Sequence, residues 1–289
     1  METIVLYEGG DVIILPGESP TKQYQVQSHC LANASVVFKA MLFGEFCEGG
    51  PRSSSSPMKI CLKHDDAKAT GILLAVVHYK QSEDPPFHDA EEAYHLAQLC
   101  DKYNCIVPLG PLMSHWVASF IGSVQTMEFE HICMLIAVAE WMRNLKAYTS
   151  LTQHLIMSRN VSLTDLLTLG ARIMSELTLV HLCARREEAR SEIRKAIAVL
   201  ASDTGVCSCR CSLSAEAIMI HITSLEHSSA DSVANCVRSL VQALSFRDFT
   251  VCASRHNASP SVLMEEKKQV VLRRLRPEAE YFQGLALGQ

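Results

Sequence analysis

The sequence predicts an α+β N-terminal unit, a small sheet capped by helices, followed by an all-α C-terminal region. Three observations predict it. The first hundred residues hold four short runs of alternating or β-branched character, most of them bounded by Gly, Pro, Ser or Asp. Helical patterns lie between and after those runs, and beyond Pro108 only helical patterns remain. With 289 residues, 48% of them apolar and 20% charged, the chain is long enough for a sizeable core and too apolar for wholesale disorder.

Residues 4–7 and 12–15 are aliphatic runs divided by Gly9-Gly10 and stopped by Pro16-Gly17. They read as two strands, or one bent strand, ending in a turn. Residues 22–26 alternate, with Tyr24 and Val26 on one face, as a third strand does. From Leu31 the period becomes helical: Leu31, Val36, Val37, Ala40 and Met41 form an apolar face, and Ser35 is placed to cap the stretch 36–42. Residues 49–57, Gly-Gly-Pro-Arg-Ser-Ser-Ser-Ser-Pro, are a low-complexity loop, flexible by composition. Residues 58–62 alternate again, a fourth strand. Asp65 and Asp66 then stand where an N-cap belongs, before a helix at 67–80. Pro85-Pro86 breaks the chain, and 90–103 is a helix with Ala93, Leu96, Ala97 and Cys100 on one side.

In the second half, 112–122, 129–148 and 151–157 read as consecutive helices. A long stretch from 163 to about 201 sets Arg185 against Glu188, Glu187 against Arg190 and Glu192 against Lys195, three apart as on a solvated helix face. Helices at 214–223, 232–244 and 262–275 complete it. No repeat of fixed period is present, which argues against a solenoid.

A formal net charge of −5 and a pI near 6.2 argue against a general nucleic-acid binder. The longest apolar run, 132–139, is too short to span a bilayer, and the first residues lack the basic and apolar regions of a signal peptide. The expectation is an intracellular protein, cytoplasmic and/or nuclear, with no membrane partner. Most of the twelve cysteines, such as Cys61, Cys100, Cys133 and Cys236, sit singly in apolar or helical stretches, as small buried hydrophobes do. Without a secretory signal a disulfide framework has no compartment to form in, and the sequons at Asn33, Asn160 and Asn257 are chance matches.

The order of motifs in the first third is more telling than any one of them. Gly10-Asp11-Val12-Ile13-Ile14-Leu15-Pro16-Gly17, then Tyr24-Gln25-Val26-Gln27-Ser28-His29-Cys30-Leu31, and on through Ser35, Phe38, Met41 and Leu42, resembles the opening of a BTB/POZ domain. Phe46-Cys47-Glu48 stands where that family has its acidic turn. Ile60-Cys61-Leu62-Lys63-His64-Asp65-Asp66 is similar to its strand and acidic cap. Ala97-Gln98-Leu99-Cys100-Asp101-Lys102-Tyr103-Asn104-Cys105 resembles its "A-x-x-Y-x-C" helix. The resemblance runs from about residue 9 to 107, and implies a BTB/POZ domain at 1–108 with the helical region at 109–289. The nearest look is that of filamentous-fungal BTB proteins with a helical C-terminal half. Two departures stand out. The family's frequent histidine is Gln27 here, with His29 two positions later, and the loop at 49–57 is an insertion.

The resemblance implies an interaction module: a homodimer or a pair with another BTB chain, or an adaptor joining a target to a cullin-type ubiquitin ligase scaffold. Such a unit has strand edges and a helical face that a single copy leaves open. Asp11, Phe46 and Glu48 are the residues it would bring to a partner. Phe46 and Glu48 fit the hydrophobic-x-Glu pattern of cullin-binding members; alternatively Phe46 closes the core and Glu48 is simply solvated.

Other constellations are weaker. Cys207, Cys209 and Cys211 are soft metal ligands, but structural zinc pairs are usually spaced two to four apart and no second pair accompanies them. A surface loop of free thiols is the favoured reading, and a zinc site the other. No nucleophile elbow, H-E-x-x-H, P-loop or G-x-G-x-x-G occurs, so no enzyme and no cofactor is expected. Helix capping accounts for Asp65 and Asp66 without a metal, and His115 and Trp116 suit a core or domain interface. Lys267, Lys268, Arg273, Arg274 and Arg276 suit a charged helix face better than a nuclear address. Ser56-Pro57 and Ser259-Pro260 are candidate phosphoacceptors for a proline-directed kinase. The rival functions are a transcription- or chromatin-linked regulator working through the helical half, and a metal or redox sensor using the 207–211 cysteines.

Overall fold

The structure is a computed structural model that describes residues 1–45, 50, 52–80, 88–157 and 161–202, together with positions 259, 262, 265, 266 and 269. The chain divides into two compact units after Tyr148. The first contains a four-stranded mixed sheet in the order β1-β3-β2-β4, built from β1 (Glu2–Val5), β2 (Val12–Pro16), β3 (Lys22–Val26) and β4 (Met58–Leu62). β2 lies inside, antiparallel to β3 and parallel to β4, so Ile14 faces Tyr24 on one side and Ile60 on the other. Its residues Val12, Ile14, Leu15 and Pro16 are all buried, as a central strand covered on both faces requires.

β1 begins two residues before the aliphatic run that suggested it, because its parallel pairing with β3, Glu2 beside Lys22 and Ile4 beside Tyr24, is made by backbone and not by side-chain type. Gly10 is what lets the chain cross back to start β2. A Cβ there would come within 2.6 Å of the Val26 carbonyl oxygen.

Among the described residues, six α-helices lie wholly within the first unit: α1 (Ser28–Ala34), α2 (Val36–Phe43), α3 (Ala67–Val77), α4 (Ala90–Lys102), α5 (Ile106–Ile121) and α6 (Phe129–Trp141). Ser35 caps α2 as its position suggests, its Oγ accepting from the Phe38 amide at 2.9 Å. That hydroxyl also donates to the Tyr103 carbonyl at 2.5 Å, tying the α1–α2 corner to the end of α4. Of the two aspartates before α3 only Asp66 caps, accepting from the Ala69 amide at 2.7 Å. Asp65 is buried instead, where its carboxylate accepts from the Tyr103 hydroxyl and pairs with Lys102. Tyr103 in turn stacks on Phe38, ring centroids 4.3 Å apart. The start of α3, the end of α4 and the start of α2 therefore meet on one buried tyrosine.

α5 starts six residues earlier than expected, with Pro111 inside it. A proline there removes one helix hydrogen bond, but Leu109, Met113, Trp116 and Val117 are all buried along the same helix and outweigh it. Trp116 is core as anticipated, whereas His115 is exposed one position away on the opposite side. The helix expected over 129–148 breaks after Trp141, and α7 (Leu145–Met157) begins anew. Arg143 there takes φ 53°, and the Asn144 amide reaches back to the Ala139 carbonyl at 2.8 Å. α3 and α4 end in the same way, with Tyr79 at φ 57° and Asn104 at φ 50°, and with Lys80 bonded to Ala75 and Cys105 to Cys100. These are Schellman closures without glycine; Asn104 is a residue that tolerates the left-handed region, whereas Tyr79 and Arg143 are strained there by about 1 kcal/mol and carry no sequence signal.

In the second unit, the long stretch from 163 to about 201, with its charges at helical spacing, is not one continuous helix. Short turns at Leu163–Asp165 (α8) and Ala171–Ile173 (α9) flank a π-wound turn, Leu166–Gly170. Ser175 then starts α10 (Glu176–Ser202) by accepting from the Thr178 amide at 3.2 Å. Arg185–Glu188 and Glu192–Lys195 do form ion pairs on its surface, at 2.6 and 2.5 Å. Arg190, expected on the solvated face, is buried. No helix among the described residues is long and apolar enough to cross a membrane. Cys100 and Cys133 are buried, and burial pushes the Cys133 thiol up to about 12. Cys61 is exposed, because Ile60 and Leu62 take the inward positions of β4 and period two turns Cys61 out. Cys236 lies outside the described residues.

Candidate interaction surface

α1 and α2 form a corner held to the sheet by one aspartate. The Ser28 amide donates to Asp11 Oδ1 at 2.8 Å and the Ser28 hydroxyl to Oδ2 at 2.6 Å, so Asp11 caps α1 from the start of β2. Arg52 adds its Nε to Asp11 Oδ2 at 3.3 Å and its Nη1 to the Leu42 carbonyl at 2.7 Å. Burial pushes the Asp11 carboxyl up, but the two Ser28 bonds and the Arg52 charge outweigh it and leave the acid stronger than usual. Asp11 thus works inside the unit, as the latch of the α1–α2 corner. Arg52 belongs to the Ser/Pro loop expected to be flexible, yet it is anchored at both ends of that corner, and Ser53 and Ser56 close a tight turn behind it.

The latch presents an apolar helix face to solvent. Val36 is 62% exposed, Val37 37% and Phe43 45%, all on α2, while Phe38 and Leu42 of the same helix are buried. Phe43 is flanked by the His29 ring at 4.9 Å and the Arg52 guanidinium at 4.4 Å, which fix its orientation without covering it. The departures noted in the sequence find their places here. His29 is an exposed neighbour of Phe43, and Gln27 acts through its backbone, donating its amide to His78 Nε2 at 3.0 Å. Because His78 Nδ1 lies 2.8 Å from the Leu74 carbonyl, Nδ1 carries the proton and Nε2 accepts. Burial holds His78 below the usual histidine range, and the neutral ring is the form that both bonds need.

No family model matches the chain, and no curated protein matches it. Phe46 and Glu48, the candidate cullin contacts, and Cys207, Cys209 and Cys211, the zinc candidates, lie outside the described residues. Among the described residues no cluster of His, Cys, Asp and Glu is arranged to hold a metal ion. What sequence reasoning missed is the Asp11–Ser28–Arg52 latch: its three members lie 17 and 41 positions apart along the chain, counted from Asp11, and no local pattern links them.

Proposed function

We propose that this chain is a non-enzymatic protein–protein interaction protein whose first unit, a BTB/POZ-like platform, self-associates through the α2 face. The observation that carries the reading is the row of solvent-facing Val36, Val37 and Phe43 on a helix whose other side is fully built into the core. An apolar face of this kind is stabilised by a second copy, and a two-fold arrangement sets α2 against its own counterpart. Light scattering coupled to size exclusion, on the full chain at tens of micromolar, is expected to give twice the monomer mass. Val37→Asp combined with Phe43→Asp is expected to return it to the monomer, since both side chains are exposed and the fold does not depend on them. A wild-type chain that stays monomeric across that range overturns the reading.

Recruitment of a cullin-type scaffold extends the same role, and its support is the Phe46-Cys47-Glu48 motif three residues beyond the end of α2. Capture of a cullin by the wild type and its loss in Phe46→Ala and Glu48→Ala tests that part separately.

A further inference from the structure

Two strands of the first unit are entered through the same four-residue pattern. Ser19-Pro20-Thr21-Lys22 leads into β3 and Ser56-Pro57-Met58-Lys59 into β4. In each a serine is followed by proline and, three positions on, by lysine. At this chain's content of Ser, Thr, Pro, Lys and Arg, one match to such a pattern arises by chance in about one chain in eight, and a pair in about one in a hundred. The third Ser-Pro pair, Ser259-Pro260, is followed by Ser261-Val262 and lacks the base.

The pattern has a chemical logic. Proline carries no N–H, so next to an acceptor serine it suits a kinase pocket that offers no carbonyl, where any other residue would bury an unpaired amide. A lysine three positions on meets carboxylates of the kinase and adds charge selection. Both features together describe a proline-directed kinase with a basic preference downstream.

The structure presents both copies to solvent. Ser19 lies in the five-residue connection between β2 and β3, is exposed, and makes no hydrogen bond among the described residues. Lys22 pairs with Glu2 only at 3.9 Å, with both side chains more than half exposed, so a kinase carboxylate displaces that partner at little cost. Ser56 is exposed as well. Its ties are surface bonds to Ser53, two between backbones at 3.3 and 3.1 Å and one from its amide to the Ser53 hydroxyl at 3.1 Å, which open locally without disturbing the core. Lys59 is exposed on β4, an edge strand of the sheet, and has no ion-pair partner among the described residues.

A competing site in the same loop is closed by the fold. Arg52 stands three residues before Ser55, the spacing that a kinase selecting upstream arginine reads. Its guanidinium is held by Asp11 and the Leu42 carbonyl, and its side chain is only 9% exposed. Ser55 is therefore exposed without its recognition charge, whereas Ser56 keeps its own.

We propose that Ser19 and Ser56 are acceptor sites for a proline-directed serine kinase that reads a base three positions downstream. With Mg2+-ATP as donor, the serine Oγ bonds to the γ-phosphorus and the bond from that phosphorus to the β,γ-bridging oxygen breaks. ADP leaves, and the hydroxyl proton passes to a base of the kinase. Each phosphate carries about −1.5 to −2 charges near pH 7, so the pair takes the net charge from −5 to about −8 or −9. Neither serine belongs to α2, so modification and self-association are measured independently.

The test incubates the full chain with a purified cyclin-activated proline-directed kinase and Mg2+-ATP, and maps the phosphates by mass spectrometry. Phosphate is expected on Ser19 and Ser56, at rates within about tenfold of free peptides spanning 14–25 and 49–62, since only local opening separates chain from peptide. Lys22→Ala is expected to slow Ser19 and Lys59→Ala to slow Ser56, each about tenfold and each without effect on the other site. A kinase requiring arginine three residues upstream is expected to modify Ser55 in the 49–62 peptide and not in the folded chain. Circular dichroism of each variant confirms that it is folded. Failure of either Ser19 or Ser56 to accept phosphate in the folded chain, wild-type rates in the two lysine variants, or modification of Ser55 in the folded chain overturns the proposal.

Discussion

Replacing Tyr103 with Phe isolates the bond on which three helices converge. The hydroxyl donates to the buried Asp65 carboxylate at 2.5 Å, and burial, reinforced by that bond, holds the phenol protonated far above working pH. Phenylalanine keeps the stack on Phe38 and leaves the carbonyl that Ser35 uses, so the change removes one hydrogen bond and little else. A bond to a charged group contributes about 1.5–3 kcal/mol, and leaving the buried carboxylate one donor short places Tyr103→Phe near about 2 kcal/mol. Lys102, the other partner of Asp65, is half exposed, so Lys102→Met is expected to cost only about 0.5 kcal/mol. Both tryptophans of the chain, Trp116 and Trp141, belong to the first unit, so tryptophan fluorescence in urea reports that unit alone. With a slope of about 2 kcal/mol per molar urea, the Tyr103→Phe midpoint falls by about 1 M and the Lys102→Met midpoint by about a quarter of that. Equal shifts, or a larger one for Lys102→Met, would refute the reasoning, because the half-exposed lysine would then outweigh the buried hydroxyl.

Other tests follow from the same geometry. Phe38→Ala empties a fully buried site stacked on Tyr103 and is expected to cost about 3–5 kcal/mol, read from the same urea curves. Gly10→Ala forces a Cβ to 2.6 Å from a backbone oxygen that cannot move aside, with an expected loss of about 1–3 kcal/mol. His78 is depressed in the folded state, so its contribution is complete above about pH 6.5 and is lost as pH falls from there through the folded value. His78→Gln, which keeps an acceptor for the Gln27 amide, is expected to flatten the stability profile below about pH 6.5 in urea titrations. Thiol labelling with peptide mapping is expected to modify Cys61 quickly and Cys100, Cys105 and Cys133 only on unfolding, since the last three are buried and their thiols are raised, that of Cys105 to about 11.

Where chemistry is local, the chain announced its own structure. Period two placed β3 and β4 to the residue, Ser35 and Asp66 marked helix starts, and the apolar stripe Ala93, Leu96, Ala97, Cys100 named the buried side of α4. Tertiary contact decided the rest. α1 begins at Ser28 because Asp11, far back in the sequence, supplies its cap. Asp65 looked identical to Asp66 until Tyr103 drew it inside. Two helices stop at Tyr79 and Arg143 with no glycine or asparagine to say so, since surrounding packing tolerates a left-handed residue that local preference would not choose. The packing of α3 on the sheet was equally silent. A tyrosine on a strand and a glycine on a helix each have an ordinary local reading, and only the fold, across 47 positions, brings the Tyr24 hydroxyl to within 2.3 Å of where a Cβ on Gly71 would stand.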